Sequence, residues 1–375
     1  MAGAFWGRYR GKRVLVTGDT GFKGSWLVTW LRLLGAEVHG VALAPHTDPS
    51  LFERAGLKDL IEHTDGDVRQ ASTLDARLDA VRPDVVFHLA AQAIVSESYR
   101  DPVTTLETNI LGTMHLFEAL RRRAQPCAVV IVTSDKCYED QAWDYGYRET
   151  DRLGGSDPYS ASKACAEVLT ASYRRSFFPP EALAEHGVAV ASVRAGNVLG
   201  PGDFALNRIV PDCVRALASG QPVAVRNPDA VRPWQHVLEP LSGYLVVGAR
   251  LLSTETAART CEAWNFGPRP ESCRPVRDVV EALFQAWGGG EWDVVAAPRQ
   301  LKETHLLRLS IEHSVANLGW SPVWTFAEAA ESIAHGYRRL LDAPGAGQVH
   351  GLLEETIGVY TGAARQHGLG WVPPA

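Results

Sequence analysis

The chain lacks a long apolar run, a cysteine pair and an excess of positive charge, and each absence excludes a class of function. No uninterrupted apolar stretch reaches the roughly 20 residues that a bilayer-spanning helix needs, so no membrane association is expected. The six cysteines stand at 127, 137, 165, 213, 261 and 273 with no Cys-x-x-Cys pair. Neither a disulfide framework nor a metal site is therefore expected. The stretch Met1 to Arg13 mixes aromatics and arginines without the apolar core of a signal peptide, and a reducing cytoplasm is the compartment such cysteines suit. A formal net charge of −6 gives no footprint for nucleic acid. The one dense basic run, Arg121-Arg122-Arg123, reads as the solvated last turn of a helix. Internal repeats and low-complexity segments are also missing.

What is present is an ordinary globular composition, 46% hydrophobic and 21% charged over 375 residues. That length exceeds what one hydrophobic core usually supports, so two lobes are expected. Strand and helix patterns alternate at βαβ spacing to about residue 200, the mark of an α/β protein with a doubly wound parallel sheet.

The run Arg13-Val14-Leu15-Val16-Thr17-Gly18 reads as a buried strand. It leads through Asp19-Thr20-Gly21-Phe22-Lys23-Gly24 into an apolar helix from Ser25. Strand, glycine turn and helix in that order let backbone amides approach a pyrophosphate, whose charge the helix N-terminus favours. Gly18, Gly21, Phe22, Lys23 and Gly24 are thus candidate cofactor residues of a Rossmann-type domain, spaced G-x-x-G-x-x-G. The second strand ends in Ala44-Pro45-His46-Thr47, with neither an acid for a ribose nor an arginine for a phosphate. That position does not separate NAD from NADP. Asp67 and Val68 follow the third strand, where the carboxylate can accept from an adenine amine. Leu89, Ala90 and Ala91 end the strand from Asp84, small enough for a nicotinamide ribose to pack on. Tyr99 to Arg123 then reads as one long helix containing Asn109.

The strand Ala128 to Thr133 delivers Ser134, Asp135 and Lys136 to its carboxyl end, the edge where open α/β sheets bind ligands. Downstream, Pro158 opens a helix that puts Tyr159 and Lys163 four residues apart on one face. A phenol beside an ammonium is a proton-transfer device, because the positive charge favours phenolate. Past residue 200, proline and tryptophan become frequent, and Arg208, Arg226 and Arg232 are candidate phosphate ligands. The expected division is a Rossmann domain at 1–198 with some later segments returning to it, a smaller α/β substrate lobe at 199–342, and a tail at 343–375. The tail reads as a linker and a helix around Leu352 to Ala364.

With these motifs placed, the chain resembles the extended short-chain dehydrogenase/reductase superfamily and, within it, the CDP-glucose 4,6-dehydratase family. The closer resemblance rests on Thr20-Gly21-Phe22-Lys23-Gly24-Ser25-Trp26-Leu27, Thr133-Ser134-Asp135-Lys136-Cys137-Tyr138, Arg194-Ala195-Gly196-Asn197-Val198, and Arg226-Asn227-Pro228 followed by Arg232 to Leu241. It implies a lyase of deoxysugar and polysaccharide biosynthesis that turns CDP-glucose into CDP-4-keto-6-deoxyglucose with NAD as a bound catalyst. It implies Tyr159 as base for the C4 hydroxyl, and Lys163 holding the cofactor ribose and lowering the phenol pKa. Ser134 would hydrogen-bond the reacting hydroxyl, Asp135 protonate the departing C6 hydroxyl and Lys136 remove the C5 proton. Asn197, Arg208 and Arg232 would hold the diphosphate. A homodimer or dimer of dimers, burying the apolar faces around Leu116 and Leu169 in a four-helix bundle, is implied as well.

Three departures from the family stand out: Asp19 in place of histidine, Phe204 and Asn207 in place of Trp and Asp, and the region of Lys302-Glu303-Thr304 and Ser310 to His313. They leave open a dehydratase for another nucleotide sugar. A 4-epimerase or reductase of the same superfamily is the other alternative, and would need Tyr159 and Lys163 but no adjacent acid and base. For elimination, Asp135 must be protonated and Lys136 neutral. Burial pushes both that way, and their mutual pairing opposes it.

Overall fold

The apolar runs become strands buried on both faces, joined at one edge by the polar and partly exposed strand Glu62–Asp65. β1 (Arg13–Thr17), β2 (Glu37–Ala42), β3 (Glu62–Asp65), β4 (Val85–His88), β5 (Cys127–Val132) and β6 (Val188–Ala195) join the strand Ala263–Phe266. The seven form one sheet, in the order Ala263–Phe266, β6, β5, β4, β1, β2, β3, and every pairing is parallel. The computed structural model describes residues 7–123, 125–295 and 307–372, so Lys302-Glu303-Thr304 lies outside the described residues. The chain winds outward from β1 to β3 and resumes on the other side at β4. The crevice at the carboxyl ends of β1 and β4 is therefore the switch point at which such sheets bind ligands.

The helix α1 (Phe22–Leu33) follows β1, and its inward face buries Trp26, Leu27, Val28, Trp30 and Leu31. Burial of each large aliphatic side chain there contributes roughly 1.5–3 kcal/mol. α1 stops at Leu34 because Gly35 takes a left-handed φ of +78°.

The long helix expected over Tyr99 to Arg123 is interrupted. Helix Val95–Arg100 ends at Asp101, and a new one runs over Pro102–Leu106, followed by a π-helical turn at Glu107–Leu111 and a helix at Gly112–Arg123. Pro102 cannot continue the first helix, and the Asp101 carboxylate accepts from Thr104 N to cap the second.

Residues beyond 198 divide between two places. The helix Leu238–Leu251 packs on β5 and β6, and Ala263–Phe266 completes the sheet. Helices Ile209–Ser219 and Val276–Trp287 pack together, with short ladders such as Val231–Pro233 against Cys273–Pro275, and their first turns and Arg232 line the cleft. The last segment forms a helix, Ala346–Gln366, against α1. Its Tyr360 ring meets Trp30 edge-on at 5.7 Å, and its hydroxyl donates to Glu239 Oε2 at 2.7 Å. Val323 N and Trp324 N also donate to Glu239, whose carboxyl burial pushes up to about 7. Among the described residues, no helix is long and apolar enough to cross a membrane.

Candidate active site

The glycine turn is shaped by close approach. Gly18 has φ +78°, and a Cβ on it would stand 2.8 Å from Ala90 N. A Cβ on Gly24 would stand 2.1 Å from Gly18 O, so any side chain there separates α1 from the turn. At the N-terminus of α1, Gly21 supplies no capping side chain and the first turn carries no acid. The orphan N–H groups of that turn are thus aimed at an anion. Lys23 adds a cation whose pKa falls to about 8, through burial first and then repulsion from Lys163 and Arg208. This donor set fits the diphosphate of a dinucleotide.

Beneath the turn, Asp19 is fully buried and its Oδ2 bonds His63 Nδ1 at 2.7 Å. Asp19 fills the space over Gly40, where a Cβ would meet its carboxylate at 2.1 Å. The bond to Asp19 raises the His63 pKa above 6.5. A folded-state pKa raised above the unfolded value gives stability that is fully present below about 6.5 and fades as pH rises through the folded value. The melting-temperature gap between wild type and His63→Gln should accordingly be widest below pH 6.5 and shrink above it. A gap independent of pH would contradict this linkage.

Asp67, Val68, Leu89, Ala90 and Ala91 line the same cleft. The Asp67 carboxylate is already bonded by Arg69, through N at 2.9 Å, Nε at 2.8 Å and Nη2 at 2.6 Å. Its Oδ1 keeps one free lone pair for a ligand donor. Behind Ala90, His88 bonds the Thr17 hydroxyl at 2.8 Å, and burial pushes its pKa down to about 3, so it is neutral.

Ser134, Asp135 and Lys136 turn off the end of β5 into the cleft. Ser134 Oγ donates to Asp135 Oδ1 at 2.9 Å and accepts from Lys136 N. Asp135 is buried, and desolvation raises its pKa against the opposing pull of Lys136 and Ser134. Lys136 is half-buried and lines the cleft; among the described residues it makes no ion pair.

The helix Pro158–Ser176 opens as expected, with Pro158 in its first turn and the Asp157 carboxylate accepting from Ser160 N at 2.9 Å. Tyr159 and Lys163 both line the cleft. The expected direction of the phenol pKa needs correction. Burial pushes Tyr159 up to about 12, and the groups pulling it down are the neighbouring Ser134 hydroxyl and, less strongly, Arg208. The Lys163 ammonium is directed instead to Val132 O, at 3.3 Å, and burial lowers its pKa to about 8.

Asn197, Arg208 and Arg232 line the cleft as well, joined by Arg226 and Asn207. Arg208 Nη1 pairs with Asp203 at 2.8 Å, and Tyr337 donates to Asp203 O. Asn207 adopts φ +62°, and its Oδ1 accepts from Arg226 at 3.4 Å. Phe204 instead packs edge-on against Tyr337, 6.5 Å between centroids.

Every candidate residue from the sequence therefore lines one cleft of about 980 Å³. One residue went unassigned. Asn109, in the π-helical turn, donates to Ser162 Oγ at 2.8 Å and to Gln92 O at 3.0 Å. Thr104, Thr105, Glu107 and Thr108 make the stretch before it polar too, so nothing in the pattern singles the amide out. Among the described residues there is no group of His, Cys, Asp or Glu fit to hold a metal ion.

The profile of the GDP-mannose 4,6 dehydratase family matches residues 15–333. A CDP-glucose 4,6-dehydratase of Salmonella typhimurium is 46% identical over 334 residues, 89% of this chain and 92% of that protein. A dTDP-glucose 4,6-dehydratase of Streptomyces antibioticus is 32% identical over 87% of this chain and 92% of its own length. Among solved structures, a Thermus thermophilus UDP-glucose 4-epimerase in complex with NAD superposes with TM-score 0.74 at 27% identity, over 87% of this chain and 99% of that one. DesIV, a dTDP-glucose 4,6-dehydratase of Streptomyces venezuelae with NAD bound, gives 0.71 at 25% identity, over 87% and 97%.

Proposed function

The chain belongs to the GDP-mannose 4,6 dehydratase family, and from that premise we propose that it is an NAD-dependent CDP-glucose 4,6-dehydratase. It is a hydro-lyase acting on a nucleotide sugar, and its product is CDP-4-keto-6-deoxyglucose. The observation that carries this reading is a buried acid, Asp135, next to a cleft-facing lysine, Lys136, beside Tyr159 and Lys163. A 4-epimerase needs the second pair and has no task for the first.

NAD, when bound, supplies the oxidising power that makes the C4 alcohol a ketone and is restored when C6 is reduced. The residues that would hold it are the N–H groups of Phe22 and Lys23, with Asp67, Val68 and Leu89 to Ala91 along the wall, and Lys163 at the ribose. Tyr159 accepts the C4 hydroxyl proton, and Ser134 offsets part of the burial that disfavours phenolate. With C4 a ketone, the C5 proton becomes acidic because the resulting anion is delocalised. Lys136 removes it. Asp135, whose carboxyl burial raises above its ordinary value, delivers its proton to the departing C6 hydroxyl. Asn197, Arg208 and Arg232 hold the diphosphate. Asn207 offers Arg226 an uncharged carbonyl, so the guanidinium keeps its full charge for the nucleotide.

The test is a panel of CDP-glucose, UDP-glucose, dTDP-glucose and GDP-mannose, with loss of water read by mass spectrometry. CDP-glucose should react fastest. Faster turnover of another member would reassign the nucleotide while keeping the reaction.

The assembly proposed is a homodimer, or a dimer of dimers, through neighbouring helices, but not through the faces first expected. Leu116 is fully buried and Leu169 packs on the same cluster, because both face the sheet. The outward apolar residues are Val103, Leu106, Leu111 and Val168, with Val103 63% and Val168 57% exposed. Light scattering should give a dimer mass for wild type and a monomer mass for a Val103→Glu, Val168→Glu double variant. A monomeric wild type would remove the idea. The six free cysteines suit the cytoplasm as its compartment.

A further inference from the structure

A buried ion pair that lines no part of the cleft stands behind it, and its bonds reach both ends of the Ser134–Lys136 turn. Glu167, one turn beyond Lys163, meets Arg194 Nη2 at 2.7 Å, with side-chain exposures of 2% and 4%. The Glu167 carboxylate also accepts from the Thr133 hydroxyl at 2.5 Å and from Ser192 Oγ at 2.8 Å. Arg194 Nη1 donates to the Tyr138 hydroxyl at 2.6 Å and to Glu149 O at 3.0 Å. Its guanidinium also lies over the Tyr138 ring, 5.0 Å from the centroid. The Tyr138 hydroxyl in turn donates to Asn265 Oδ1 at 2.9 Å. Thr133 is the residue before Ser134, and Tyr138 follows Lys136 by two.

We infer that the Glu167–Arg194 pair is a positioning element for the elimination half of the reaction, clamping the Asp135–Lys136 turn from behind through Thr133 and Tyr138. This rests on the dehydratase reading above. A buried ion pair is a weak source of net stability, since desolvating two charges offsets most of their attraction. What this one does is fix geometry, because it ties Thr133, at the start of the turn, to Ser192 and Arg194 of β6. Of the oxidation groups, Lys163 bonds Val132 O beside this network, whereas Tyr159 is anchored elsewhere. The Tyr159 end of the helix is held by Asp157 on Ser160 and by Asn109 on Ser162. The C4 base, Tyr159, and the Asp135–Lys136 pair are therefore tied to the scaffold through different bonds and should be separable. Removing a C5 proton and delivering one to the C6 oxygen needs two groups in register, and misplacement by about 1 Å costs on the order of 10²-fold.

Glu167→Gln would leave Arg194 as an uncompensated buried charge and would also remove a carboxylate that favours charged Lys163. Milder changes are better probes. Tyr138→Phe deletes the hydroxyl that links Arg194 to Asn265, and Thr133→Val deletes the hydroxyl on Glu167 while keeping the side-chain shape. In single turnover with CDP-glucose, the C4 ketone is trapped with borodeuteride, and C5 exchange and water loss are followed in deuterated solvent. Each variant should lose about 10-fold or more in C5 exchange and water loss, with C4 oxidation held within about twofold. Both steps slowing in proportion, or neither slowing, in variants that melt with wild type overturns the inference; if Tyr138→Phe does not fold, Thr133→Val decides alone. A wild type that dehydrates none of the panel sinks the dehydratase reading and this inference with it. An active wild type with unsplit variants sinks the inference alone.

Discussion

Lys136→Met should oxidise C4 of bound CDP-glucose and go no further. Methionine keeps the unbranched stem and removes the amine. Because Lys136 is half-buried and makes no ion pair among the described residues, its loss orphans no charged partner and the fold should be unaffected. Asp135 loses the largest of the pulls that lower its pKa, a change that favours its acid form. Only the base is missing. Loss of a positioned general base costs roughly 10²–10⁴-fold, so water loss and C5 exchange should fall by that factor while the trapped 4-keto sugar persists. C5 exchange at near-wild-type rate would mean that water or Tyr159 is the base and that Lys136 only balances Asp135.

The second large effect is expected at the other end of the cleft. Tyr159→Phe should stop the reaction before any ketone forms, by about 10²–10⁴-fold. The ring is buried and Phe preserves its packing. Affinity for CDP-glucose should be unchanged by calorimetry, since the diphosphate is assigned to Asn197, Arg208 and Arg232. A Tyr159→Phe protein that still forms the 4-keto sugar would move the C4 base to Ser134 or Lys163. Deletion of either Tyr159 or Lys136 thus abolishes product, and the two are told apart by where the sugar stops.

Much of this was legible in the sequence for a simple reason. A glycine needed by close approach, a strand buried on both faces and two polar residues one helical turn apart are local requirements, and each leaves a local pattern. The turn at Gly18 to Gly24, the delivery of Ser134 to Lys136 by β5 and the facing of Tyr159 with Lys163 were all of that kind. What was missed depends on packing between distant segments. Asp101 and Pro102 break the expected helix, but the π-helical turn that aims Asn109 at Ser162 answers to a neighbour 53 residues away. Asp19 reads as a departure from the family until His63 is found against it. Leu116 and Leu169 lie on helices with apolar residues on more than one face, and periodicity does not say which face the sheet covers. The phenol was expected to be pulled down by Lys163. Burial pushes it up instead, and desolvation is a property of the folded cleft, not of a four-residue spacing.

The most direct test of the account uses CDP-glucose carrying deuterium at C4. A 4,6-dehydratase moves that hydrogen within one molecule. The product should have lost water, carry the deuterium on C6 and form with no net reduction of added NAD. Deuterium accumulating in free reduced cofactor, or a C4 epimer formed without loss of water, would contradict it.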